Sequence, residues 1–244
     1  MRVLLTRAAE DCARSARFLC RLGIEAVCAP VIETRPADPA PALAACDGVI
    51  VTSAKAAAFL ADLPQICRGK PIFAVGPRTA RATARHGFAA RHVGAGDARS
   101  LLRAIPAIMP PPAHLLHVTG RDHKAEPARG LCVRGFGVTL WEAYEARACP
   151  VFAQEGIHAL EAGRLDAALH YSPRSAKLAL ARIGEAGLQT RFAALRQVAI
   201  SPDVAAILRN AGCRDVMVSP APNEKAMFRV LLDVRQNARG GPDA

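Results

Sequence analysis

The feature that most restricts how this chain folds is an internal repeat: one short plan is written twice, in the same order. "DGVIVTSAKAAAFL", beginning at Asp47, is matched by "DAALHYSPRSAKLAL", beginning at Asp166, and the spacing that aligns the two aspartates also aligns Ser53 with Ser172. "AVGPRTARATARHGF" is matched by "AISPDVAAILRNAGC", which sets Pro77 against Pro202. "VLLTR" is echoed by "LLHVTGR", and "GAGDARSLL" by "PAPNEKAMF". One such match arises easily by chance; four in the same order do not. The chain is a duplicated unit of roughly 110 to 120 residues, each copy large enough for its own core.

The unit is a run of strand, tight turn and helix. Apolar, β-branched runs predict strands at 3–6, 26–33, 48–52, 72–75, 90–94, 115–119, 138–144, 167–172, 198–201 and 216–219. Alanine-rich amphipathic stretches predict helices at 9–22, 54–61, 77–86, 97–105, 173–183, 202–211 and 223–235. Such alternation builds α/β parallel sheets with helices on both faces. Ten strands are many for one sheet, so two sheets of about five are expected. Three stretches read as breaks: "IMPPPAH" (108–114), "TRPADPAPAL" (34–43) and "EARACPVFAQEG" (145–156). Three breaks for two copies make sense if the copies exchanged parts, the middle of the chain forming one lobe and the two ends together the other. The closing "NARGGPDA" reads as a frayed tail.

Composition then narrows the partners. Hydrophobic residues make up 51% of the chain, enough for compact cores. The formal charge is +11, from 32 basic against 21 acidic residues. Such an excess favours an acidic partner: nucleic acid, a membrane surface or a polyanionic small molecule. Aromatics are only 5%, with a single Trp141, and no helix-turn-helix, zinc-finger or ribonucleoprotein signature is present, which argues against nucleic acid. No stretch approaches the roughly 20 apolar residues of a membrane span, and "MRVLLTR" turns charged too soon for a signal sequence, so a soluble, cytoplasmic protein is expected. The eight cysteines contain no CxxC and no metal-ligand spacing, and several sit in apolar runs such as "EAVCAPVIE". They read as small buried hydrophobes in a reducing compartment.

In their order and spacing these motifs resemble the uroporphyrinogen-III synthase family. The likeness is carried by "VLLTRAAEDCARSARFLCRLGIEAVCAPVIET" at the start, "DGVIVTSAKA" and "AVGPRTARATARHGF" in the middle, and "YSPRSAKLAL" and "AISPDVAAIL" in the second half. It extends over residues 2–235. The resemblance implies two similar doubly wound, flavodoxin-like parallel-sheet lobes joined by a two-stranded extended linker, with the active site in the cleft between them. One lobe would hold 1–34 plus 151–244 and the other 40–145, with linkers at 35–39 and 146–150 and a flexible tail from 236. The prolines at 110–112 then fall in a loop inside the second lobe.

The resemblance also implies a reaction: closure of hydroxymethylbilane, a linear tetrapyrrole with acetate and propionate chains on every ring, to uroporphyrinogen III. Such a lyase loses water through azafulvene and spiro intermediates and inverts the last ring. No metal or organic cofactor is implied, no nucleic-acid or membrane partner, and a monomer is the expected state. Because the bilane also closes unaided, without inversion, the protein's task is to hold its ends for the strained attack and to donate a proton to the departing hydroxyl.

Tyr144, in "WEAYEARAC", is expected to end the last strand before the second linker. The resemblance makes it the proton donor, whereas alone it reads as a boundary tyrosine with a wet hydroxyl. Thr79 sits in the first helical turn of "GPRTA", where a hydroxyl and open N–H groups suit either a carboxylate or plain capping. Its counterpart in "SPDVA" is Val204 after Asp203, where the family usually has Gly-Pro-x-Thr; a hydroxyl is lost and a negative charge gained, although Ser201 retains one hydroxyl. Ser53 and Ser172 read as helix N-caps, a role compatible with a carboxylate site because both use the same N–H groups. Lys55, Arg174, Lys177 and Arg196 are individually surface charges and together an electrostatic funnel. Arg7 and Arg121 end the first strand of each copy and are expected to point into the cleft. Arg14, Arg17 and Arg21 form a solvent stripe, Arg81 and Arg85 extend outward, and the seven histidines show no metal-binding spacing and read as surface or strand-end residues. The rival reading is a two-lobed α/β binding protein for an anionic small molecule, without catalysis. No GxGxxG or Walker loop points to dinucleotide or ATP chemistry.

Overall fold

The computed structural model describes residues 1–239. The chain opens with β1 (Arg2–Leu5), α1 (Ala9–Arg21), β2 (Glu25–Cys28) and β3 (Ile32–Pro36). Its middle holds β4 (Gly48–Val51), β5 (Ile72–Ala74), α2 (Pro77–Arg85), β6 (Ala90–Val93), α3 (Ala98–Ile108), β7 (His114–Gly120), α4 (Ala128–Cys132) and β8 (Gly137–Ala148). The rest is α5 (Gln154–Glu161), β9 (Ala167–His170), α6 (Pro173–Glu185), α7 (Gln189–Ala193), β10 (Arg196–Ala199), α8 (Pro202–Asn210), β11 (Val216–Val218) and α9 (Glu224–Arg239).

Four expectations need correcting. The strand foreseen at 26–33 is two strands, β2 and β3, which join different sheets. Pro30, with no N–H to donate, lies in the break. The helix foreseen at 54–61 is a 3₁₀ turn, Ala56–Asp62, whose bonds close one residue early, as from Leu63 N–H to the Leu60 carbonyl; Pro64 then blocks continuation. The break foreseen at 145–156 is mostly ordered, since β8 runs on to Ala148 and α5 starts at Gln154. The tail foreseen from 236 begins as helix, because α9 reaches Arg239; its remaining residues, 240–244, lie outside the described residues. The short helices α4 and α7, five residues each, escaped the periodicity reading because one turn carries no pattern.

The chain divides into two compact units: Met1–Glu33 with the segment from Arg147 onward, and Thr34–Ala146. The first carries a five-stranded sheet in the order β11-β10-β9-β1-β2, and the second a six-stranded sheet in the order β3-β8-β7-β4-β5-β6. The chain passes between the units twice, within β3 and within β8. Ala37 N–H bonds to the Ala143 carbonyl and Cys149 N–H to that of Val31. One number rises as the other falls, so these two strands run antiparallel.

Counted from the start of each repeat, the remaining strands of both sheets follow one order. It is β2-β1-β9-β10-β11 in one unit and β8-β7-β4-β5-β6 in the other. Each unit thus takes its first two strands from one copy of the repeat and its last three from the other. Local bonds repeat as well. The carboxylate of Asp166 accepts the Arg2 N–H at 2.6 Å, and that of Asp47 accepts the His114 N–H at 2.8 Å. The aspartates that align in sequence therefore make the same join between neighbouring strands.

Parallel strands covered on both faces must be apolar on both, hence runs such as Val49, Ile50 and Val51, all fully buried. In β1, Leu4 packs with Ile183 and Phe192, while Val3 and Leu5 pack on the other face with Leu19, Met227 and Leu231. Each such large side chain contributes about 1.5–3 kcal/mol by leaving water.

Candidate active site

In a sheet of parallel strands every strand ends on the same edge, and ligands of open α/β sheets bind outside that carboxyl edge. In the unit of residues 34–146 this edge carries Ser53 after β4, the α2 turn with Thr79 after β5, Arg121 after β7, and Tyr144 opposite the last residue of β7. These four positions lie on adjacent strands, β8-β7-β4-β5, so roughly 15 Å separates the first from the last.

Tyr144 does not end its strand, as the sequence reading had it, but lies within β8. Its placement depends on an irregularity. Thr119 pairs with Glu142 and Gly120 with Tyr144, leaving Ala143 as the extra residue of a bulge. Trp141 and Ala143 face the core, so strict alternation would turn Tyr144 to the side of Glu142. The bulge instead adds it to the cluster of Trp141, Ala143 and Leu116, 8% exposed, with its ring stacked on Phe59 at 5.5 Å. Gly120 makes the space: a Cβ there would come within 2.6 Å of the Tyr144 ring.

The neighbouring side chains are mostly committed. Arg121 bridges Asp38 at 2.8 Å, Glu145 at 3.1 Å and Glu142 at 3.5 Å, and these carboxylates, Glu145 foremost, raise its pKa further. Ser53 is not a helix cap; its Oγ accepts the Lys55 N–H at 3.2 Å in a local turn before the 3₁₀ segment. Lys55 Nζ donates to the Thr34 Oγ1 at 3.1 Å. Thr79, 4% exposed, stands in the first turn of α2, whose N-cap, Gly76, offers no side-chain acceptor. Pro77 removes one N–H and leaves those that follow to other acceptors. Below the edge, Thr52 Oγ1 and His117 Nε2 lie 2.9 Å apart. Burial, with a smaller push from His123, brings His117 down to about 4, so the ring is neutral.

In the other unit the same edge carries Arg7 after β1, Ser172 after β9 and Ser201 after β10. Ser172 caps α6, its Oγ accepting the Ser175 N–H at 3.1 Å. Ser201 occupies the N-cap of α8 without a side-chain bond, ahead of Pro202 and Asp203. Arg174 is exposed on the first turn of α6. Arg7 turns inward: its guanidinium pairs with Glu224 at 2.7 Å, donates to Ser15 Oγ at 3.2 Å and lies 3.9 Å over the Tyr171 ring. It ties the middle of α1 and the start of α9 to the end of β1. Arg196 departs furthest from expectation, because it begins β10, on the opposite edge of the sheet, and pairs with Asp215 at 2.7 Å.

Sequence reasoning passed over Gly120, Asp38, Glu142 and Glu145, and it put the histidines at the surface or at strand ends, whereas His117 and His170 are buried within the sheets because their strands are covered on both faces. For Gly120 there was a signal: "VTGR" has one residue more than its echo "LTR", and the bulge falls at that residue. The carboxylates around Arg121 come from β8 and the segment after β3, a meeting that no local pattern announces.

The chain's likeness to known proteins agrees with this layout. Residues 13–229 match the family described as uroporphyrinogen-III synthase HemD. Among solved structures, a uroporphyrinogen-III synthetase from Helicobacter pylori matches with a TM-score of 0.60 at 14% identity, over 96% of this chain and 100% of that one. A mutant uroporphyrinogen III synthase from the extremely thermophilic bacterium Thermus thermophilus matches with a TM-score of 0.51 at 19% identity, over 97% of this chain and 99% of that one. At such identities these two likenesses speak for the fold. No curated protein sequence matches significantly.

Proposed function

The chain belongs to the uroporphyrinogen-III synthase family, and from that premise we propose that it closes hydroxymethylbilane to uroporphyrinogen III with inversion of the last ring. The observation that carries the assignment of roles is Tyr144, the match to the family's proton-donor position, set by a bulge at the carboxyl edge of a parallel sheet. A phenol is protonated at neutral pH and donates to the hydroxyl that leaves the first ring. Packing on Phe59 and against Gly120 holds the ring in one orientation, which is what a proton donor for a single geometry requires.

The substrate's carboxylates call for N–H groups and cations. The first turn of α2, with Thr79, is the best supported anion site, since its N-cap has no side-chain acceptor of its own. Ser53 and Lys55 extend that edge, and Ser172, Arg174 and Ser201 are the corresponding groups of the other unit. Arg7 and Arg121 act in this scheme as framework, through the ion pairs that fix the ends of β1 and β7. Arg196 has no part in it. The strand orders support two doubly wound, flavodoxin-like lobes, and the antiparallel pairing of β3 with β8 supports a two-stranded linker. The proposal carries with it a lyase acting as a monomer in the cytoplasm; no helix among the described residues is long and apolar enough to cross a membrane.

The test is incubation with hydroxymethylbilane and separation of the product isomers. Uroporphyrinogen III as the main product is expected. Formation of the uninverted isomer alone, at the rate seen without protein, would sink the catalytic reading and leave a binding protein for an anionic small molecule.

A further inference from the structure

None of the eight cysteines, each a thiol rather than half of a disulfide, enters that reaction. Two pairs of them meet in space, Cys12 with Cys28 in one unit and Cys46 with Cys67 in the other. Cys12, in α1, is fully buried, and its Sγ lies 3.2 Å from the Arg7 carbonyl oxygen and 3.5 Å from that of Leu5. The Leu5 carbonyl also accepts the Ala29 N–H at 2.9 Å, and Leu5 is the register partner of Cys28 on β2. The Cys12 sulfur is thereby held over the end of β2, on the sheet face that both cysteines share with Leu5, Leu19 and Met227. The two cysteines belong to one cluster, and Cys28 is partly exposed while Cys12 is not.

We infer that Cys28 is a modification site, a nucleophilic thiol oxidised by hydroperoxides, and that Cys12 is the resolving thiol that turns the product into a disulfide. In the first step the Cys28 thiolate attacks the peroxide: an S–O bond forms, the O–O bond breaks and hydroxide, or the alkoxide of an organic hydroperoxide, leaves, giving a sulfenic acid. In the second, the Cys12 sulfur attacks that sulfenic sulfur: the S–S bond forms, the S–O bond breaks, and the departing hydroxide leaves with the Cys12 proton as water.

The setting of the pair suits these roles. The hydrogen bond from Cys12 brings Cys28 down to about 7, against the opposing effect of burial. The same bond, then burial, pushes Cys12 up, so it keeps its proton until the second step. The other pair is an internal control. Cys46 and Cys67 are both buried, and burial, then contact with Cys46, pushes Cys67 up to about 12. With both sulfurs shut away from solvent, this pair has no thiol to take the first step. A Cys12–Cys28 disulfide would tie α1 to the end of β2 beside the Arg7 carbonyl.

The experiment uses the reduced full-length protein. Trace labelling with iodoacetamide at neutral pH, read by peptide mass spectrometry, is expected to modify Cys28 about tenfold faster than the exposed Cys20 and Cys132. Hydrogen peroxide is then expected to give a Cys12–Cys28 linked peptide that dithiothreitol removes. In Cys12→Ser, peroxide should stop at a Cys28 sulfenic acid trapped by dimedone. Labelling of Cys28 no faster than of Cys20 and Cys132 would overturn the inference. So would peroxide linking Cys28 to another cysteine, or to none; both readouts need only the parent protein.

Discussion

Where one unit begins the helix after its β5 strand with Gly76-Pro77-Arg78-Thr79, the other begins the helix after β10 with Ser201-Pro202-Asp203-Val204. The backbone plan is the same, with Pro at the first helical position and no side-chain cap; the chemistry offered at the edge is opposite in sign. The divergence runs deeper. Each unit buries one neutral histidine, but His117 lies on β7 and His170 on β9, strands that the repeat does not equate. Each has one tyrosine at its carboxyl edge, Tyr144 on a bulged strand and Tyr171 beneath Arg7. By contrast the joins made by Asp47 and Asp166 are unchanged. Duplication kept what closes the sheet and released what lies at its carboxyl edge.

The largest expected effect separates the tyrosines. Tyr144→Phe should lower kcat about 10²- to 10⁴-fold, the usual worth of a general acid, with circular dichroism unchanged. Tyr171→Phe should stay within about threefold of the parent, since removing a hydroxyl outside the reaction leaves general-acid catalysis intact. Equal losses would erase the contrast. Gly120→Ala sharpens it: its Cβ crowds the Tyr144 ring at 2.6 Å. A loss of about tenfold is expected with the hydroxyl still present, because misplacement alone slows an oriented reaction.

Acid should affect both units through their histidines. Burial holds His117 and His170 at about 4 in the folded protein, against 6.5 for the free side chain. Between those values the unfolded chain binds more protons, so stability present above pH 6.5 is lost as the pH falls toward 4, on the order of 3 kcal/mol for each ring. Urea midpoints measured across that window check the slope, and His117→Leu should remove about half of it. A slope unchanged in the variant would show that His117 does not titrate as its burial dictates.

The smallest effect tests what the units share. Asp47→Ala and Asp166→Ala should each cost about 1 kcal/mol, the usual worth of one hydrogen bond, and should add in the double variant because the sites lie in separate units. Unequal losses in urea melts would mean that the two joins are no longer equivalent.

The sequence by itself determined the repeat, the alternation of strands and helices, and the turns at Gly76-Pro77, Ser172-Pro173 and Ser201-Pro202. Each of these is a local matter of side-chain spacing, fixed proline geometry and capping. The 3₁₀ segment at Ala56–Asp62 escaped that reading because its apolar spacing fits either helix; the short reach to Pro64 decided between them. The site was legible as residue types but not as partners. Ser53, Thr79 and Ser172 stood at strand ends, as the motifs said, whereas Arg7, Arg121 and Arg196 found carboxylates distant in sequence. Arg7 and Glu224 stand at opposite ends of the chain, and only the closing of the sheet brings them within 2.7 Å. Tertiary structure likewise decided the direction of Tyr144, since alternation points it one way and a single extra residue in the ladder points it the other. Spacing along the chain specifies which atoms can bond nearby; which distant charges neutralise one another depends on packing, and packing has no period to read.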